Sequence, residues 1–187
     1  VLVAFDIDMT LTQPDHPAVY YPNLKKYGDV YKKVLSQLTP EQKDLEATLT
    51  TQIIPQKYVE RETPGIVKAL QQKGVKTMAL TSSLAGEISG FPKKMIILRR
   101  DQLQRMGIDF TNTFKDFSKA ITFTDFKKYA GGYPMFYHGI LSTNGEGDAS
   151  KGDVLIAFLT HIGFKYEHKA HKLGYYPKVV FLIDDKR

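Results

Sequence analysis

The sequence predicts an α/β protein in which helices pack on a central parallel sheet and a small helical insertion interrupts the sheet early on. Three observations carry that expectation. The run Val1-Leu2-Val3-Ala4 is apolar with β-branched members and ends in Phe5-Asp6-Ile7-Asp8-Met9-Thr10-Leu11-Thr12. A helical stretch from Thr63-Pro64-Gly65 to Gly74 hands over to a second such run, Val75 to Leu80, ending at Thr81-Ser82. The same order recurs where a helix opening at Ser150-Lys151-Gly152-Asp153 precedes Val179-Val180-Phe181-Leu182-Ile183. Short apolar runs alternating with helices suit parallel strands buried on both faces, and these deliver whatever follows them to the carboxyl edge of the sheet.

After the first strand, Gln13-Pro14-Asp15-His16-Pro17 is expected to break regular structure. Leu24, Tyr27, Tyr31, Val34, Leu35 and Leu38 then recur at helical spacing, which predicts a helix over about residues 23–38. Thr39-Pro40-Glu41-Gln42 restarts a helix with a hydroxyl N-cap, proline at the first position and an acid in the first turn. The helix from Thr63 is expected to bury Ile66, Val67 and Leu70 and to stop at Gly74. Asp101 to Met106 reads as a short helix ended by Gly107, and Phe110 to Tyr137 as strands or a β-ribbon. The helix from Ser150 puts Val154, Leu155, Phe158, Leu159 and Ile162 on one face, with Gly163 as its stop and a buried strand next.

The 187 residues suffice for one α/β core over 1–187 with an insertion at about 18–60, not for two full domains. The chain opens on Val1 inside a predicted strand and ends at Arg187 just after another, so further sequence is expected beyond both ends. No run is long enough to cross a bilayer, which predicts a soluble domain, cytoplasmic or exported. The absence of cysteine excludes disulfides and thiolate metal sites. The net charge of +6 comes from scattered Lys and Arg, which suit solvated faces and attraction of anionic substrates. No nucleic-acid module is visible, and nucleic acid is not an expected partner.

The chemistry concentrates at Asp6 and Asp8. Carboxylates at i and i+2 lie on one side of an extended chain, and held close they require a cation between them or a proton on one. Lys151, in the first turn of its helix, opposes the helix dipole, an arrangement that makes sense if it neutralises an anion. Met9 stands between Asp8 and Thr10.

Asp6-x-Asp8-x-Thr10 followed by Leu11-Thr12 resembles the first motif of the haloacid dehalogenase (HAD) superfamily. The strand ending at Thr81-Ser82, Lys151 at a helix start and the strand ending in Asp184-Asp185 resemble its other three motifs, in order. Ala79-Leu80-Thr81, Gly139 to Asn144, Lys151 to Leu155 and Ile183 to Lys186 resemble a HAD-like branch from intracellular bacteria. The resemblance implies a Rossmann-like HAD fold with a small helical cap, and a Mg²⁺-dependent phosphomonoester hydrolase that forms an aspartyl-phosphate. It implies Asp6 as nucleophile, Asp8 as general acid and base, and Lys151 as the charge that steadies the transferring phosphoryl. Thr81 and Ser82 would bind phosphate, and Thr10 would tie the first loop together. Mg²⁺ would be held by Asp6, Asp184 and the Asp8 carbonyl, with Asp185 touching a metal-bound water or a nearby backbone group. Met9 departs from the small residue common at its position in the family.

The insertion is short, so the site is expected to be open enough for a phosphoprotein, phosphotyrosine above all. Small phosphometabolites and nucleotides are the alternative substrates, and a catalytically silent binding module is the alternative from another class. His161, His168 and His171 fit no complete metal site. Tyr20, Tyr21, Tyr133, Phe136 and Tyr137 suit either a substrate cleft or core packing.

Overall fold

The apolar runs do become neighbouring strands. A computed structural model describes residues 1–43, 45–46, 54–87, 93–145, 150–170 and 177–185. Strand β1 (Leu2–Phe5) is buried along its whole length. It lies parallel between β4 (Lys76–Thr81) and β8 (Val180–Ile183), with Phe5 opposite Ala79 on one side and Ile183 on the other. β4 pairs parallel with β7 (Ile140–Ser142), and β6 (Met135–Tyr137) and β5 (Ile121–Thr122) extend the sheet antiparallel, in the order β5-β6-β7-β4-β1-β8. The β6–β7 turn runs through His138 and Gly139, both at positive φ. A Cβ at Gly139 would lie 2.3 Å from the Phe110 carbonyl oxygen, so only glycine fits this close approach.

Because side chains alternate along a strand, the sheet buries two cores. Leu2, Ala4, Met78 and Leu80 face Val154, Phe158 and Ile162 of helix α5 (Lys151–Ala170). Val3, Phe5 and Ala79 face Val67 of helix α3 (Thr63–Gln72) and Ile96 and Leu103 of helix α4 (Met95–Arg105). Helices therefore cover both faces of a mostly parallel sheet, the α/β arrangement expected. The aromatic stretch serves the first core: Phe136 stacks on Phe158 at 4.3 Å, and Phe114 meets both rings edge-on.

The insertion leaves and returns on a second, two-stranded antiparallel sheet, β2 (Thr12–Pro14) with β3 (Gln56–Tyr58). Residues 12–14 are thus extended rather than broken, with Pro14 at the strand end, where its missing N–H does least harm. The helix expected over 23–38 is two helices, α1 (Tyr21–Lys26) and α2 (Gly28–Ser36). Tyr27 leaves helical geometry between them at φ −106° and ψ 25°, just before a glycine of low helix propensity. Thr39 and Gln42 cap the next helical residues reciprocally, each side chain bonded to the other's backbone N–H.

Four further expectations need correction. Ile66 is exposed, since α3 turns Thr63 and Val67 inward and Leu70 partly. Gly163 does not end α5, which continues to Ala170; one glycine costs a helix only about 1 kcal/mol. The β8 strand is not buried: among the described residues it pairs only with β1, and Val180 to Ile183 are exposed. The short helix expected at Asp101–Met106 begins earlier, at Met95, and does end at Gly107, whose φ is +74°.

Candidate functional site

The carboxyl ends of β1, β4 and β8 and the start of α5 converge on one cleft. Asp6 follows β1 directly, and its carboxylate accepts the Ile7 N–H at 2.9 Å through Oδ1. Its Oδ2 lies 2.9 Å from Lys151 Nζ, which also donates to Asp184 Oδ2 at 2.6 Å. Lys151 is the first residue of α5, and Ser150 caps that helix in a reciprocal pair with Asp153. The cap fixes where the helix begins and so where the lysine points. Burial pushes the Asp6 carboxyl up to about 6, against the pull of Lys151, so its ionisation depends closely on the local charge balance.

Asp8 faces a different set of partners. Its Oδ2 accepts from the Ser83 hydroxyl at 2.9 Å, and its Oδ1 from Arg99 at 2.5 Å. Ser83 is also 2.9 Å from the Thr81 hydroxyl at the end of β4, and Arg99 bonds Gln102 through its other terminal nitrogen. Arg99 is nearly fully buried, whereas the Asp8 side chain is half exposed. The Arg–Asp contact therefore joins the buried face of α4 to a residue that lines the cleft.

The cleft encloses about 450 Å³ between Asp6, Asp8, Met9, Thr81, Ser82, Ser83, Leu84, Tyr129, Gly145, Lys151 and Asp185. Asp6, Asp8, Thr81, Ser82 and Lys151 thus come together as expected. The Thr10 hydroxyl is buried with no hydrogen-bond partner among the described residues; the loop is tied by backbone N–H groups, those of Thr10, Leu11 and Thr12 to the Ile7 carbonyl and that of Met9 to the Thr12 carbonyl. Met9 adopts φ 65°, a left-handed conformation uncommon for a side chain of its size.

An oxygen-only cation site also fits. Asp6, Asp184 and Asp185 each offer a carboxylate oxygen within 4.8 Å of the others, a hard donor set that suits Mg²⁺ better than zinc. The third side chain is Asp185 rather than Asp8, whose carboxylate turns to Arg99 and Ser83.

Ser83, Arg99, Tyr129 and Asn144 were not singled out from the sequence. A signal existed for Arg99, because Met95, Ile96, Arg99, Gln102 and Leu103 fall on one buried helix face, and a charge in an apolar stripe requires a partner. Of the aromatic candidates, Phe136 is core and Tyr137 packs under Arg100 at 5.2 Å. His161 meets Phe123 edge-on at 6.3 Å; His171 lies outside the described residues.

Fold and site together define an α/β protein with a carboxylate-and-lysine cleft at the carboxyl edge of its sheet. The chain belongs to the family described as "Protein of unknown function (DUF2608)", which matches residues 1–187. It is similar to an uncharacterized protein of Rickettsia bellii, 25% identical over 175 residues that cover 88% of this chain and 56% of that protein. A Rickettsia felis protein is 26% identical over 165 residues, 85% of this chain and 47% of its own length. The chain spans about half the length of these relatives. No solved structure matches it.

Proposed function

We propose that this chain is a HAD-type, Mg²⁺-dependent phosphomonoester hydrolase working through an aspartyl-phosphate. The supporting observation is the buried Asp6 carboxylate, held on the Lys151 ammonium and grouped with Asp184 and Asp185 at the mouth of a parallel sheet. An Asp6 oxygen attacks phosphorus, and the bond from phosphorus to the ester oxygen breaks. Asp8, once it has parted from Arg99 and taken up a proton, gives that proton to the departing alcohol, then takes one from the water that releases phosphate from Asp6. Lys151 and the hydroxyls of Thr81 and Ser82 face the negative charge that develops on the phosphoryl oxygens. Mg²⁺, held by Asp6, Asp184 and the Asp8 carbonyl, would supply further neutralisation of that charge.

The test is release of phosphate from simple phosphomonoesters with Mg²⁺ and with chelator, on the native chain and Asp6→Asn. Activity that needs Mg²⁺ and vanishes in folded Asp6→Asn is expected. Residual turnover in that variant would sink the assignment of the nucleophile. Phosphate-analogue binding without turnover in the native chain would instead make the cleft a binding module.

A further inference from the structure

The cleft lining is mostly polar, through Asp6, Asp8, Thr81, Ser83, Lys151 and their neighbours, with Met9, Leu84 and Tyr129 as its apolar members. Leu84 and Tyr129 both lie close to Gly145. Tyr129 is half exposed, yet its backbone is held from several directions. It and Gly132 exchange two backbone hydrogen bonds of 2.9 Å across a turn through Ala130 and Gly131, both at positive φ. The Tyr129 carbonyl also accepts from Asn144 Nδ2 at 2.6 Å, while Asn144 Oδ1 accepts the Ala85 N–H at 2.8 Å. Asn144 is itself buried. Its neighbour Gly145, at φ +101°, lies under the ring: a Cβ there would come within 2.6 Å of Tyr129 Cδ1 and Cε1.

A buried amide and a closed turn thus fix the backbone that carries Tyr129, and a glycine lets the chain pass close to its ring, which is half exposed and lines the cleft. A ring needed only as cover for Leu84 would not require its backbone clamped to the end of the central sheet. Resting on the phosphomonoesterase reading, the geometry points to Tyr129 as a specificity residue that stacks a planar ring on the leaving group. The substrate class is a phosphomonoester whose alcohol carries an aryl or heteroaryl ring. Its phosphate lies among Asp6, Thr81 and Lys151 and its ring on Tyr129, since offset aromatic pairs gain more than their buried area alone.

The test compares benzylphosphonate with cyclohexylmethylphosphonate, which match in charge and approximate size but differ in having a flat or a puckered ring. Binding with Mg²⁺ is measured by calorimetry on the native chain, Tyr129→Phe and Tyr129→Leu, with folding checked by circular dichroism. The native chain is expected to prefer the flat ring by about 2- to 12-fold, the ratio that corresponds to a typical aromatic pair. Tyr129→Phe keeps this preference and Tyr129→Leu loses it. No preference in the native chain, or an equal one in Tyr129→Leu, overturns the proposal.

Hydrolysis of the matching benzyl and cyclohexylmethyl phosphates is followed in parallel. Ring-selective binding without turnover removes the hydrolase reading and leaves the ring site standing. Turnover without ring preference does the reverse. Phosphotyrosine peptides and nucleoside 5′-monophosphates form the last arm, where the higher specificity constant identifies the source of the ring.

Discussion

Asp8 and Arg99 show how unequal the two ends of one ion pair are. Asp8 is half exposed and can be rehydrated if its partner is lost, but Arg99 is buried and, among the described residues, bonds besides only Gln102 and the Ser83 hydroxyl. Removing the acid strands a buried cation, so Asp8→Ala is expected to cost about 3 kcal/mol, near the lower end for breaking a buried pair. Asp8→Asn keeps an oxygen acceptor and should cost clearly less; urea unfolding of both variants measures the difference. Asp6 carries a pH signature. Burial pushes its folded pKa up to about 6, above the ordinary aspartate value of about 3.9, so the folded state binds this proton more tightly. The resulting stabilisation is full below about pH 4 and is lost as pH rises through about 6, on the order of 2–3 kcal/mol. Chemical unfolding in chelator should show this loss for the native chain relative to Asp6→Asn; a flat difference across the window would contradict it.

At the scale of elements, α5 does two jobs, and its sequence separates them. Its first turn sets Lys151 through the Ser150–Asp153 cap, and its middle anchors the sheet through Phe158. Phe158 is fully buried against Phe136 and Phe114, so Phe158→Ala is expected to cost about 3–5 kcal/mol through lost transfer energy and the cavity left behind. Ile66→Ala on α3 is the contrast. That side chain is half exposed, and the change should stay within about 0.5 kcal/mol. Thermal unfolding of the two variants checks both values. The difference follows from how each helix is rotated against the sheet, which the apolar spacing of α3 leaves open by one residue.

For the whole molecule, the consequence lies in where the strands end. Residues far apart in the chain, Asp6, Thr81, Lys151 and Asp184, meet because parallel strands and a crossover helix bring their ends to one edge. If Asp184 holds Mg²⁺ with Asp6, then Asp184→Ala should raise the Mg²⁺ concentration needed for half-maximal activity. It should also weaken the rise in melting temperature that Mg²⁺ gives by binding the folded state. An unchanged Mg²⁺ titration would shift the site to Asp185. The insertion on β2 and β3 leaves the 450 Å³ cleft lined by sheet-edge loops and the Tyr129 turn, with no residue of α1 or α2 among its walls. No helix among the described residues is long and apolar enough to cross a membrane.

The sequence by itself determined the parallel order of the core strands and the acids, hydroxyls and lysine at their ends, because strand periodicity and helix caps are local properties of a few consecutive residues. It also carried the capped restart at Thr39 and the glycine stop at Gly107. Only the tertiary structure decided that α3 turns Ile66 outward, that α5 runs through Gly163, and that β8 lies exposed beside β1. Those outcomes depend on neighbours distant in the chain. The same holds for the cleft. Asp8 turning to Arg99 and Ser83, and Tyr129 clamped by Asn144, are contacts between residues up to 91 positions apart, and no local pattern encodes which of two acids a buried arginine will reach.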